Sequence, residues 1–163
     1  MIVCSYFLPG KKLRQELSKA AARGVTIQVL IAGRSDIMMA KHAERWLYDW
    51  LIRNNIKLYE YQPSVLHAKL AISDGSWFTI GSYNVNNISA YASVELNLDV
   101  YNPEMAVEAE QIISNIIKND AIPITQQAHK RSTNMFIQFK RWLSYHFIRI
   151  ALNLLTSYYK QKG

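Results

Sequence analysis

The chain has 163 residues, half of them hydrophobic, with only 6 Gly and 4 Pro, enough to close one compact globular domain with a proper core. Its single cysteine, Cys4, excludes a disulfide framework and a thiolate metal cluster, and its apolar setting suits a buried thiol in a reducing compartment. The net charge of +7 is localised: residues 1–120 hold twelve Lys or Arg and twelve Asp or Glu, whereas 121–163 hold seven Lys or Arg and no acid.

In chain order, IVCSYF (2–7) reads as a buried strand, and Pro9-Gly10 opens a helix over KKLRQELSKAAARG that stops at Gly24. The N-terminus carries no basic segment ahead of its short apolar run, so no signal peptide is read there. VTIQVLIAG (25–33) is β-branched and almost wholly apolar, as an interior strand covered on both faces requires. One helix over SDIMMAKHAERWLYDWLIRNN, capped by Ser35 or Asp36, and a strand IKLYEY (56–61) follow. Strand and helix in alternation predict an α/β fold, a mixed and largely parallel sheet flanked by helices.

Beyond a hairpin treated below, ASVELNLDVY (92–101) alternates apolar Val94, Leu96, Leu98 and Val100 with polar residues, and Pro103 starts a helix with acids in its first turns. The core domain is expected over 1–123, with a separate basic amphipathic helix over 124–163. No repeat and no low-complexity linker interrupts the chain, and nowhere do eighteen uncharged apolar residues run together, so no bilayer-spanning helix is predicted.

The stretch HAKLAISDGSWFTIGSYN (67–84) turns at Asp74-Gly75, the strongest short-range signal for a two-residue hairpin. Pairing Ser73 with Ser76 sets His67 opposite Ser82 and Lys69 opposite Ile80, so that His67, Lys69, Ser82 and Asn84 project from one face at the open end. Asp74 lies seven residues from His67, roughly 23 Å along the strand, which assigns it to the turn and not to the chemistry. An imidazole, an ammonium, a hydroxyl and a carboxamide in one place suit a phosphate: cations and neutral donors stabilise its oxygens, while the imidazole attacks phosphorus or protonates a leaving oxygen. Such chemistry requires no metal or other cofactor, and the sequence offers no carboxylate cluster to hold one. Glu95 is the candidate acid to hold the second nitrogen of His67, plain solvation being the alternative reading. His42, His129 and His146 are assigned to surface or packing.

The spacing His67-x-Lys69, Asp74 and Gly81-Ser82-x-Asn84 resembles the HKD signature of the phospholipase D superfamily. The likeness extends to SYFLP, to KAAARGVTIQVLIAGRSD and to VELNL, and so to about 120 residues of the C-terminal half in the cardiolipin synthase branch; VNNIS departs from that branch at Asn86 and Ile88. The resemblance implies a phospholipase D-like α/β/α fold with catalytic His67, Lys69, Ser82, Asn84 and Glu95, and with Asp74 and Gly81 as structural members of the motif. It implies a two-step transfer through a phosphohistidine, with one histidine from each of two motifs and His67 as acid and base. This chain holds one motif, so the partner is either a second half or a second copy in a homodimer.

In the tail, Phe136, Phe139, Leu143, Phe147, Ile150, Leu154 and Tyr158 recur at helical spacing, opposite polar positions that include Arg141, Arg149, Thr156 and Lys160. With Trp142, basic residues and no acid, this helix suits an anionic membrane surface, through Phe139, Arg141, Trp142, Phe147 and Arg149; packing on the domain or on a second subunit is the alternative. Three functions follow. One is a phosphatidyltransferase of cardiolipin synthase type, using phosphatidylglycerol or a similar phospholipid and peripheral on the cytoplasmic face of a bacterial inner membrane. Another is a phosphodiesterase or nuclease active as a homodimer, disfavoured because the catalytic portion is neutral and nucleic acid wants a basic groove. The third is an inactive half-enzyme.

Overall fold

The computed structural model of the chain describes residues 1–160, with side chains described through Leu154. Tyr158, Thr156 and Lys160 of the tail pattern therefore lie outside the described side chains. The strands are β1 (Ile2–Cys4), β2 (Gln28–Ala32), β3 (Lys57–Tyr61), β4 (Lys69–Ser73), β5 (Trp77–Gly81), β6 (Asn97–Val100) and β7 (Ala121–Pro123). The helices are α1 (Lys11–Ala22), α2 (Met38–Trp46), α3 (Tyr48–Arg53), α4 (Asn87–Tyr91), α5 (Pro103–Asp120), α6 (Gln126–Arg131) and α7 (Met135–Lys160).

The strands form one mixed sheet in the order β6-β5-β4-β1-β2-β3-β7. Its parallel part is the trio β1, β2 and β3, with β4, β5, β6 and β7 added through antiparallel ladders. Helices cover both faces. Cys4, Phe7, Val29, Ile31 and Leu58 pack beneath α1 and α3, while Val3, Leu30, Ile72 and Phe78 pack against Ala106 and Ile113 of α5. Neighbours such as Val29 and Leu30 are thus buried on opposite faces, which is why β2 is apolar without alternation. Among the described residues no helix is long and apolar enough to cross a membrane.

Three sequence expectations are corrected. The single helix over 35–55 is two, α2 and α3, meeting at Leu47, and Ile37, not Ser35 or Asp36, stands at the N-cap. The hairpin register is shifted by one residue: Ser73 pairs with Trp77 and Leu70 with Ile80. The cause is Ser76, whose amide and hydroxyl both donate to the Ser73 carbonyl, at 3.0 and 2.9 Å, so that it stays in the turn as a third loop residue. Asp74 and Gly75 do adopt the positive φ the turn demands, 52° and 55°. Finally, Arg141 is not on a solvated face of the tail helix. It is buried against the domain with Tyr145, beside Ala43, Leu47 and Trp46, and its Nη1 donates to Thr133 Oγ1 at 2.8 Å.

Three elements escaped the sequence reading: β7, which lies against β3; α4, capped by the Asn86 side chain accepting from Ser89 N at 3.0 Å; and α6, capped by Thr125, so that the single tail helix expected over 124–163 is two, α6 and α7.

Candidate active site

The site follows from strand direction. The carboxyl ends of β1, β2 and β5 and the amino ends of β4 and β6 all lie at one edge of the sheet. Ser5 and Tyr6 leave β1 there, Asp36 follows β2, His67 precedes β4, Ser82 and Asn84 follow β5, and Glu95 precedes β6. Open α/β sheets carry their sites at such an edge, because loops diverge there and leave a crevice.

His67 and Lys69 share a face, as residues two apart on an extended chain must. Lys69 is buried, opposite Cys4 of β1, and its ammonium reaches His67 Nε2 at 2.9 Å and Ser5 Oγ at 3.3 Å. An ammonium only donates, so Nε2 of His67 accepts and the ring proton sits on Nδ1. Burial lowers the Lys69 pKa, opposed by weaker electrostatic coupling to Cys4 and to the Glu95 carboxylate. An anion entering beside it would therefore gain a poorly solvated cation as its partner.

Ser82 reaches the cluster by another route than the one the sequence suggested. With the observed register the position facing Lys69 would be Gly81, but the β4–β5 ladder ends one pair earlier, at Leu70 and Ile80, and Gly81 pairs with Asn97 of β6 instead. Gly81 is needed because a Cβ there would lie 2.2 Å from the Leu96 carbonyl oxygen and 2.6 Å from Asn97 Cα. Beyond it, Ser82 Oγ donates to Glu95 Oε2 at 2.5 Å and accepts from Leu96 N at 2.9 Å, which fixes the hydroxyl.

Glu95 is the hub. Besides Ser82 it accepts from Ser93 Oγ at 2.7 Å, and these bonds together with one from Ser89 hold its carboxyl down at about 2, with Lys69 adding a smaller pull. Its hydrogen bonds thus run to hydroxyls and not to the His67 ring that the sequence reading paired it with. Asn84 joins through its backbone, whose N–H donates to Ser89 Oγ at 3.2 Å, while its side-chain Oδ1 is buried and accepts no bond. An acceptor left in this way calls for a donor, so the group that Asn84 can offer an anion is its Nδ2 amide.

Three further residues belong here. Tyr6 donates its hydroxyl to Asp36 Oδ1, and that bond is the main reason the Asp36 carboxyl titrates low, with His67 contributing a weaker pull. Asp36 thus lies within electrostatic reach of His67. Ser5, Tyr6 and Asp36 were inside the segments SYFLP and GRSD, but only the strand order shows that those segments end beside His67. Asp74 sits at the opposite end of the hairpin, in the turn beside α5, near Ser73 Oγ at 3.3 Å.

Behind the site lies a buried ionic network that the sequence did not disclose. Lys41 Nζ contacts Glu44 Oε2 at 2.9 Å and Glu60 Oε1 at 3.2 Å, and donates to the Ala32 carbonyl. Glu44 Oε1 accepts from Phe7 N at 2.9 Å. The network therefore grips the chain as it leaves β1 and β2, the two turns that carry Ser5, Tyr6 and Asp36.

Comparison with known proteins bears on the family and the fold. A family model described as "Cardiolipin synthase, PLD-like domain" matches residues 1–117. Cardiolipin synthase B of Salmonella typhi is 31% identical over 149 residues, which covers 91% of this chain and 36% of that protein, so the chain spans little more than a third of its curated relative. Among solved structures, the phospholipase D family member Nuc from Salmonella typhimurium superposes with a TM-score of 0.65 at 19% identity, over 77% of this chain and 80% of that one. Phosphatidylserine synthase from Haemophilus influenzae Rd KW20 gives 0.69 at 13% identity, over 95% of this chain and 40% of that one.

Proposed function

Because the chain belongs to the family of cardiolipin synthase phospholipase D-like domains, we propose that it acts as one motif-bearing half of a phosphatidyltransferase that moves a phosphatidyl group from one phospholipid to the alcohol of another. The observation that carries this reading is the buried Lys69 ammonium bonded to His67 Nε2, with Ser82 and Asn84 at the same sheet edge.

The donor phosphodiester would draw the Lys69 ammonium onto one of its oxygens, which frees Nε2 of His67. His67 takes a proton from solvent on the Nε2 that Lys69 has vacated; the histidine of the second motif then attacks phosphorus and forms a phosphohistidine as His67 gives that Nε2 proton to the departing alcohol oxygen. In the second step Nε2 takes the proton of the acceptor alcohol, whose oxygen attacks phosphorus and releases the first histidine. Lys69 and the Asn84 Nδ2 amide stabilise the phosphoryl oxygens throughout, and Ser82 joins them once its hydroxyl proton turns from Glu95 to the phosphate. Glu95 orients Ser82 and balances Lys69.

Two exposed apolar surfaces support the assembly and location this reading needs. Val94, Leu96 and Leu98 project into solvent from β6 and the turn before it, on either side of Glu95, where a second half would dock. On α7 the stripe Phe136, Phe139, Leu143, Phe147, Ile150 and Leu154 faces outward, with Trp142, Lys140 and Arg149 exposed at its margins and no acid in the segment, as docking on an anionic bilayer requires.

The test is conversion of phosphatidylglycerol vesicles to a new lipid by the purified chain, alone and with a chain carrying a second motif. His67→Ala is expected to lower the rate by about 10²–10⁴. Activity that survives this substitution refutes the assignment.

A further inference from the structure

A second place on the molecule has the chemistry of a binding site. Between the start of α1, α4 and the middle of α7 lies a cavity of about 620 Å³, within the range that encloses lipid- and cofactor-sized ligands. His67 and Lys69 do not line it, but Tyr83 and Val85, the chain neighbours of Asn84, do. The cavity therefore opens beside the candidate active site rather than into it.

Its lining is divided. Leu8, Val85, Tyr145 and Ile148 form an apolar wall, and Lys11, Lys12, Arg14 and Arg149 supply positive charge. The acid among the lining residues, Glu16, is engaged with Lys19 at 2.9 Å. Helix α1 begins at this point with Gly10 as its N-cap, no side chain capping its first turn and no acid within it, so its positive end faces the same space. Arg14 Nε is buried without an acceptor, so the guanidinium that lines the cavity has no protein anion bonded at that atom to offset its charge. Asn87 Nδ2 donates to Asn153 Oδ1 at 3.4 Å, joining α4 to α7 along the cavity.

Apolar wall and clustered cations together recognise an amphiphile with an anionic head. Building on the phosphatidyl transfer reading, we propose that this cavity binds an anionic phospholipid, its phosphate on Lys12, Arg14 and the first amides of α1 and an acyl chain along Val85 and Ile148. A lipid held there lies next to Asn84, positioned to enter the reaction from the side of α4.

The test uses the His67→Ala chain, which cannot turn substrate over, titrated with short-chain phosphatidylglycerol below its micelle concentration and followed by amide chemical shifts. Glycerophosphate and short-chain phosphatidylcholine serve as comparisons. Shifts are expected at Gly10 to Arg14, Ala90 and Ile148, with affinity about ten-fold weaker for either comparison compound. Lys12→Glu combined with Arg14→Glu, and separately Ala90→Trp, which fills the cavity, should each weaken binding about ten-fold while leaving the remaining spectrum folded. Shifts confined to the Lys69 and Asn84 side, equal binding of glycerophosphate or phosphatidylcholine, or variants that bind like the parent overturn the proposal. Binding that behaves as described in a chain whose wild type shows no transfer even when a chain carrying a second motif is added would refute the catalytic reading alone.

Discussion

Lys69 keeps an ammonium at 7% exposure, and among the described residues its hydrogen-bond partners are an imidazole nitrogen and a serine hydroxyl, neither of which is an anion. A cation held this way is unfavourable for folding and favourable for binding phosphate. Lys69→Met, of similar length and without charge, is accordingly expected to leave stability within about 1–2 kcal/mol or to raise it, while transfer falls by about 10²–10³; urea midpoints and initial rates measure the two. Glu95 behaves in the opposite sense. Its carboxyl is held at about 2, against an ordinary 4.5, by hydroxyl donors. A depressed native pKa gives stability that is complete above the ordinary value and lost as the pH falls through the native one. Unfolding measured from pH 7 to 2 should therefore show a loss between about 4.5 and 2 that Glu95→Gln lacks. At this scale the sequence was informative about identity and less so about partners. His67 and Lys69 meet because they are two apart on an extended chain, a purely local fact. Glu95 was found, but its attachment to Ser82 and Ser93 depends on how β6 meets β5. Asp36 comes to His67 from another strand, and local spacing carries no trace of that.

Among the elements, α7 has two apolar faces, and the sequence period alone could not say which one is buried. Tyr145 and Ile148 dock on α2, whereas the broader stripe from Phe136 to Leu154 is more than half exposed at every position. Arg141 was misplaced for the same reason: hydropathy assigns an arginine to solvent, but its aliphatic stem packs and its head finds Thr133 Oγ1. Phe139→Asp with Phe147→Asp should abolish flotation with anionic vesicles and leave the melting temperature within about 2 °C, since both side chains are outside the core. Tyr145→Ala should instead cost about 3 kcal/mol. The hairpin gives the complementary lesson. Asp74-Gly75 located the turn correctly, but a serine able to bond twice to the Ser73 carbonyl added one residue to the loop, and a one-residue slip exchanges the faces of a strand. The site survives because the chain leaves the β4–β5 ladder after Ile80.

At the scale of the whole molecule, the sheet ends at β7 on one side and at β6 on the other, where Leu96 is 82% exposed beside the hub carboxylate. An apolar edge of this kind wants a partner. Leu96→Asp is expected to shift the mass in solution from an assembly toward the single chain and to reduce transfer in parallel, with light scattering and lipid assays as the readouts. A single chain before and after the substitution would refute a self-associating edge. The alternation of residues 94–100 was legible; that its apolar side would be the bare one was not, because burial at an edge depends on what lies beyond it.

Strand order has one more implication. Ser5 and Lys69 are 64 positions apart, and Glu95 arrives only with the last strand of the open edge, so the reacting groups have no local nucleus of their own. During folding, five strand ends must already be aligned before imidazole, ammonium and carboxylate can find one another, which makes the chemistry a late product of long-range closure. Any stretch of chain that stops short of β6 would keep the hairpin and lose the carboxylate that completes the cluster.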